Sequence, residues 1–102
     1  MYELEPGAAS PYHWHVGEEE LLVVVAGTPT LRTPDGETQL GPWDLAVFRR
    51  GEEGAHQLRN DTEEPVRAAF FSSVSDPEVA VYPDDGRIRV IAGAIRGRVV
   101  EE

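Results

Sequence analysis

The chain has 102 residues, room for one domain, and 40% of them are hydrophobic, enough for a real core. A net charge of −10 and a pI near 4.6 argue against nucleic-acid and anionic-membrane partners, which would need a basic patch. Cysteine is absent and every basic residue is arginine, so disulfides, thiolate nucleophiles, iron–sulfur clusters and lysine Schiff bases have no residue to form on.

The opening Met1-Tyr2-Glu3-Leu4-Glu5 has neither the basic nor the apolar region of a signal peptide, and the longest fully apolar run, Leu21 to Ala26, is far short of a membrane span. A cytoplasmic protein is the expectation. Tyr12 to Val16 alternates aromatic or apolar residues with histidine. Glu20 to Ala26, bounded by Gly17 and Gly27, is rich in valine and leucine and too short for a helix. Thr30 to Thr33 and Glu37 to Leu40 flank Pro34-Asp35-Gly36, which has hairpin-turn chemistry. Leu45 to Arg49 and Ala55 to Asn60 flank a loop containing Gly51 and Gly54, and Val66 to Ser73 is a further strand-like run after Glu64-Pro65. No segment before residue 75 sustains a helical period, and short strands at such intervals predict an all-β barrel or sandwich.

Beyond Ser75 the pattern changes. Pro83-Asp84-Asp85-Gly86 reads as a turn, and Arg87 to Ile91 alternates like an edge strand. Ala92 to Glu102, with Gly93 and Gly97, is expected to be partly mobile. The expected organisation is one domain, with a barrel over residues 1–85 and a C-terminal arm over 86–102. Five acidic residues and no basic one precede Arg32, whereas Arg87 to Arg98 holds four arginines and no acid. The arm is therefore expected to pack near the acidic N-terminal strands of its own chain or of a partner.

The three histidines carry the chemistry. Residues i and i+2 of a strand share a face, so His13 and His15 can bind one ion together while Tyr12, Trp14 and Val16 face away. The chain can turn through Val16-Gly17-Glu18-Glu19 and return antiparallel, bringing Glu20 beside the pair. His56 must arrive from a strand distant in sequence, as a rolled barrel allows. Three imidazoles and a carboxylate suit a divalent transition metal, and the donor set does not choose among iron, manganese, nickel, copper and zinc. A six-coordinate ion would keep two open positions, whereas tetrahedral zinc would be closed and structural.

These residues resemble the motifs of the cupin superfamily. The first motif runs Gly, five residues, His-x-His, three or four residues, Glu, six residues, Gly. Gly7, His13-Trp14-His15, Glu20 and Gly27 fit every spacing. The end of the second motif is kept in His56, Gln57-Leu58-Arg59 and Asn60. Trp43-Asp44 stands where that motif opens on Gly-Asp, its proline is missing, and the loop Gly51 to Ala55 is one residue longer. Tyr12 to Asp85 looks like small single-domain cupins of unassigned function. The resemblance implies an all-β double-stranded β-helix, or jelly-roll barrel, with His13, His15, Glu20 and His56 as metal ligands inside one mouth. Cupin reactions are diverse, so no single one is implied.

Glu18 and Glu19 compete with Glu20 on proximity, but the spacing to Gly27 favours Glu20. Asn60 is expected to bond to backbone, and Arg49 and Arg50 to sit in a surface loop, with anion capture at the barrel mouth as the alternative. Tyr82 and Phe70 are candidate pocket residues of unknown facing. The outward aromatics Tyr12 and Trp14 need a cover, either the arm or a second subunit of a homodimer. The functional expectation is a metal-dependent enzyme acting on a small molecule, such as a dioxygenase or isomerase. The alternative is a non-catalytic small-molecule or sugar-binding module, or a metal-stabilised structural dimer.

Overall fold

Valine- and leucine-rich runs, cut short by glycine and proline, become strands that bury alternate residues. The computed structural model describes residues 1–92 and 100–101. Its strands in chain order are β1 Tyr2–Leu4, β2 Trp14–His15, β3 Glu20–Ala26, β4 Thr30–Thr33, β5 Gly36–Gln39, β6 Leu45–Phe48, β7 Gln57–Arg59, β8 Val66–Ser72, β9 Glu78–Tyr82, β10 Arg87–Ala92 and β11 Val100–Glu101. No α-helix occurs among the described residues.

One sheet has the order β1-β8-β3-β6, a second β11-β10-β9-β2 and a third β5-β4-β7. Two antiparallel bridges, Ala9 to Arg59 and His13 to His56, join the second and third sheets. The result is one curved layer packed on the first sheet, the double-stranded β-helix expected from the sequence. Leu4, Leu22, Phe48, Val66 and Ala68 from the first sheet meet Leu31 and Leu58 from the third in the core.

Strand parity decides what each face carries. On β3, Leu22 and Val24 are fully buried, so Glu20 shares their inward face, while Leu21 and Val23 point outward. Asn60, fully buried, bonds to backbone as expected. Its Nδ2 donates to the carbonyls of Leu4 (2.9 Å) and Glu64 (2.8 Å), and its Oδ1 accepts from the Thr62 amide (3.0 Å). Tyr12 is covered by the Arg32 guanidinium, 3.9 Å from the ring centre, and Arg32 is itself held by Asp84 at 2.7 Å. Trp14 lies half-buried opposite Val81 of β9.

Several boundaries differ from the sequence reading. β1 and β9 are additional strands. Each offers few large apolar residues to the interior: Leu4 on β1, and Glu78, Ala80 and Tyr82 on β9. The strand expected over Tyr12 to Val16 shortens to two residues because His13 pairs with His56 while Trp14 and His15 pair with β9. Of the expected arm, β10 pairs with β9, which in turn pairs with β2. Residues 93–99 and 102, including Arg96 and Arg98, lie outside the described residues.

Trp43 occupies the position where the second motif opens on glycine, and its φ is 69°, in the left-handed region. Its amide donates to the Val24 carbonyl at 2.7 Å, which fixes that geometry, while its side chain is 71% exposed. A non-glycine residue there costs about 1–2 kcal/mol, and glycine returns part of that as unfolded-chain entropy. Trp43→Gly should therefore raise the unfolding free energy by about 0.5–1 kcal/mol in urea melts. Trp43→Ala, which keeps the strain, should give no gain.

Candidate metal centre

β2 and β3 present His15 and Glu20 from opposite layers, and the His13–His56 bridge brings the other two imidazoles alongside. The bridge is a reciprocal pair: the His13 amide donates to the His56 carbonyl (3.1 Å) and the His56 amide to the His13 carbonyl (3.0 Å). The loop leading to His56 is a single 3-10 turn over Glu52–Gly54. It is pinned by the Gly51 amide donating to the His15 carbonyl at 2.8 Å. Gly54 is required there, since a Cβ would fall 1.7 Å from the Arg49 carbonyl oxygen. The extra residue is thus absorbed as a turn and does not displace His56.

Glu20 Oε1 is the focus. It lies 3.0 Å from His56 Nε2, 3.1 Å from His15 Nε2 and 3.9 Å from His13 Nε2. His13, His15 and Glu20 each place a donor atom within 4.8 Å of the others, a possible metal site. His56 joins them through its contact with Glu20. The two shorter distances are within hydrogen-bond range, yet Glu20 Oε1, His15 Nε2 and His56 Nε2 are buried and make no aligned hydrogen bond. These atoms converge without the angular alignment of hydrogen bonds, as donors aimed at a shared cation would.

Two of the rings are anchored behind. His13 Nδ1 donates to the Pro11 carbonyl (3.0 Å) and His56 Nδ1 to the Gly54 carbonyl (2.9 Å). A carbonyl can only accept, so these bonds place the proton on Nδ1 and leave Nε2 free to ligate. Two aromatics that the sequence did not place complete the walls. Phe48 stacks on His56 with centroids 3.7 Å apart, and Tyr82 lies over His13 at 5.9 Å. Phe48 is a core residue of β6, and its inward parity on that strand is the signal that could have revealed it. Phe70 instead packs on the core and on Tyr2. Glu19 is exposed and 3.8 Å from Arg50, while Glu18 lies beside His15 and Glu78. Arg49 lines a separate depression of about 460 Å³ with Phe48 and Gly54. A groove of about 600 Å³ runs along Pro11, Tyr82, Arg87 and Arg89. The Arg87 guanidinium lies 5.6 Å from the Tyr82 ring centre.

The electrostatics follow from burial set against pairing. Burial would raise the Glu20 pKa, but the adjoining His15 and His56 rings outweigh it and hold the carboxyl well below the usual range. Burial opposes charge on His15, yet Glu20, with Glu78 and Glu18, raises its pKa. Burial, together with His56 and His15, lowers that of His13 despite the Pro11 carbonyl.

A barrel of this topology with a His-x-His strand facing a glutamate is the architecture of a cupin, and the chain belongs to that family: the cupin domain model matches residues 1–72. Three solved structures are similar to it. A sugar phosphate isomerase of the cupin superfamily from Silicibacter pomeroyi has 30% identity and a TM-score of 0.84, covering 90% of this chain and 59% of that one. A protein from Acidithiobacillus ferrooxidans, provisionally described as a sugar phosphate isomerase, has 28% identity and a TM-score of 0.76, covering 98% and 69%. The cupin domain of an XRE family transcriptional regulator from Enterobacter cloacae has 30% identity and a TM-score of 0.55, covering 69% and 70%. The chain thus spans 59% of the Silicibacter protein. No curated protein matches it.

In metal-free protein these shifts have opposite signs in pH. The raised His15 pKa stabilises the fold below 6.5 and its contribution is lost as pH rises through the folded value. The depressed Glu20 and His13 pKa values contribute stability that is lost on acidification. An NMR titration should find His15 titrating above 6.5 and His13 below it. Glu20→Gln should lower the His15 midpoint, and an unmoved midpoint would contradict this assignment.

Proposed function

We propose that this cupin is a metal-dependent enzyme of small-molecule metabolism, working in the cytoplasm, in which His13, His15, Glu20 and His56 ligate one divalent transition metal. The observation that carries the reading is the convergence of three buried donor atoms, His15 Nε2, His56 Nε2 and Glu20 Oε1, without hydrogen bonds among them. Iron, manganese, nickel, copper and zinc all suit this donor set. A bound ion would supply Lewis-acid or dioxygen-binding chemistry. The chain itself supplies the rest: Pro11 and Gly54 orient two rings, Phe48 excludes water behind His56, and Tyr82 forms the wall beside His13.

A small anionic substrate fits the surroundings best. The groove beside Tyr82 is lined by Arg87, which also pairs with Asp85 at 2.8 Å, and by Arg89, two cationic groups suited to an anion. Similarity to two structures described as sugar phosphate isomerases makes isomerisation of a phosphorylated sugar the favoured reaction. The alternative is a non-catalytic small-molecule or sugar-binding module, favoured by the likeness to the regulator's cupin domain.

Metal analysis of untagged protein reconstituted anaerobically should give about one equivalent, and His56→Ala should fall to a small fraction of that. Less than a tenth of an equivalent in the wild type would reject the metal reading. Turnover of aldose or ketose phosphates by the loaded protein, lost on chelation, would separate the enzyme from the binding module.

We also propose a homodimer, formed through the outer face of the first sheet. Val47 and Phe71 both pair with Leu21, and Leu45 pairs with Val23, which makes one apolar surface. Leu45, Val47 and Phe71 are 63%, 71% and 59% exposed. On a chain of net charge −10, this patch on β3, β6 and β8 carries no charged side chain, and the nearby Glu3 pairs with Arg67 at 3.9 Å, so a second copy can approach it with little opposing charge. Light scattering at micromolar concentration should give a dimer for the wild type and a monomer for Val47→Glu.

A further inference from the structure

Glu78 is a buried carboxylate for which the candidate centre has no evident use. It is 2% exposed, at the start of β9. Its Oε1 accepts from the Gly17 amide (3.0 Å) and the Val79 amide (2.7 Å). Its Oε2 is buried and makes no hydrogen bond. An unpaired buried acceptor of this kind costs about 1–3 kcal/mol and calls for an explanation.

His15 offers the matching group. Its Nε2 lies against Glu20, and its Nδ1 is buried without a hydrogen-bond partner. His13 and His56 both rest Nδ1 on a backbone carbonyl, and His15 has no such support. One donor atom each of His15, Glu18 and Glu78 falls within 4.8 Å of the other two. Within that bound, a direct hydrogen bond after a small adjustment, or a single bridging water, can join them.

The same three residues could be read as a second cation site. Imidazole chemistry argues otherwise: a neutral ring that ligates through Nε2 carries its proton on Nδ1, and a proton donor cannot also be a ligand. What His15 needs at Nδ1 is an acceptor. Glu78 is better placed than Glu18, because it is fully buried and its other oxygen is already fixed by two amides.

We propose that Glu78 is the positioning residue for His15, with Oε2 accepting the Nδ1–H directly or through one water. The inference rests on the ligand reading given above. It gives Glu78 two tasks. One oxygen holds Gly17, in the loop that sets the spacing from His15 to Glu20. The other fixes the ring of His15, whose backbone already pairs with β9 through Ala80. The loop is tight, since a Cβ on Gly17 would lie 2.5 Å from Ser75 Oγ.

Glu78→Gln tests this. A glutamine oxygen can still accept from both amides, but its NH₂ then faces the Nδ1–H donor to donor. In metal-free, ¹⁵N-labelled wild type, the His15 Nδ1–H resonance should be present and protected from exchange. It should be lost in Glu78→Gln and kept in Glu18→Gln. Zinc affinity, measured by chelator competition, should fall about 10- to 100-fold in Glu78→Gln. An unprotected or missing resonance in folded wild type overturns the proposal even if the variant does not fold. So does an unchanged resonance, or zinc affinity within twofold of wild type, in Glu78→Gln. If wild type binds no zinc yet its resonance is protected and lost in Glu78→Gln, the metal reading fails and the role of Glu78 stands.

Discussion

Glu20 holds a carboxylate at 12% side-chain exposure in a chain of net charge −10. Taking such a charge out of water costs several kcal/mol unless charge or donors of the opposite kind surround it. The surroundings come from two separate places in the chain: His13 and His15 at β2, and His56 before β7. Those segments can reach Glu20 only if the second and third sheets close over the first. Bringing three imidazoles to one buried carboxylate therefore constrains how the two layers meet. It also limits how much positive charge the centre holds without an ion, since raising the pKa of His15 goes together with lowering that of His13. A divalent cation would relieve both the clustering of imidazoles and the burial of the carboxylate.

Core and centre are continuous. β3 carries Glu20, Leu22 and Val24 on one face, so the strand that buries two aliphatic side chains also aims the carboxylate. Phe48 belongs to the core cluster and stacks on His56, which ties the most buried imidazole to the packing of β6. Side chains set in a close-packed interior have little rotamer freedom. The donors are therefore held by the same contacts that hold the barrel together, with the backbone carbonyls of Pro11 and Gly54 fixing two of the rings.

Much of this was legible in the sequence because it depends on parity and spacing. The bounds of β3 and β4 follow from their glycine and proline punctuation, and the first motif named the family. The inward facing of Glu20 follows from its being two residues before buried Leu22. What could not be read has a physical cause in each case. β1 is too short to show a period. β9 turns Glu78, Ala80 and Tyr82 inward, so its buried face does not look apolar. The stacking of Phe48 on His56 and of Tyr82 on His13 depends on strands distant in sequence, whose pairing no local pattern specifies. Glu78 was missed for the same reason: only the β2–β9 register brings it to His15.

The departures from the cupin pattern are distributed in a way that the geometry explains. The motif is intact from Gly7 to Gly27, where strand parity and a four-residue loop set the distance between His15 and Glu20. Within β2 and β3 themselves, a slip of one residue would turn a donor to the wrong face. The departures begin at Trp43 and continue through the loop before His56, where they meet two compensating restraints. The Trp43 amide keeps its bond to Val24 at the cost of a left-handed backbone. The longer loop is folded into a 3-10 turn and fastened to the His15 carbonyl. His56 is then fixed by two contacts from outside that loop, the bridge to His13 and the Phe48 ring, and by the carbonyl of Gly54 at the loop's end. Side chains can therefore vary over residues 49–53, reshaping the surface on that side of the barrel, so long as Gly54 keeps its place beneath His56. The opposite wall, formed by Tyr82 and β10, lies beyond the two cupin motifs, so its groove can vary independently of the metal centre it adjoins.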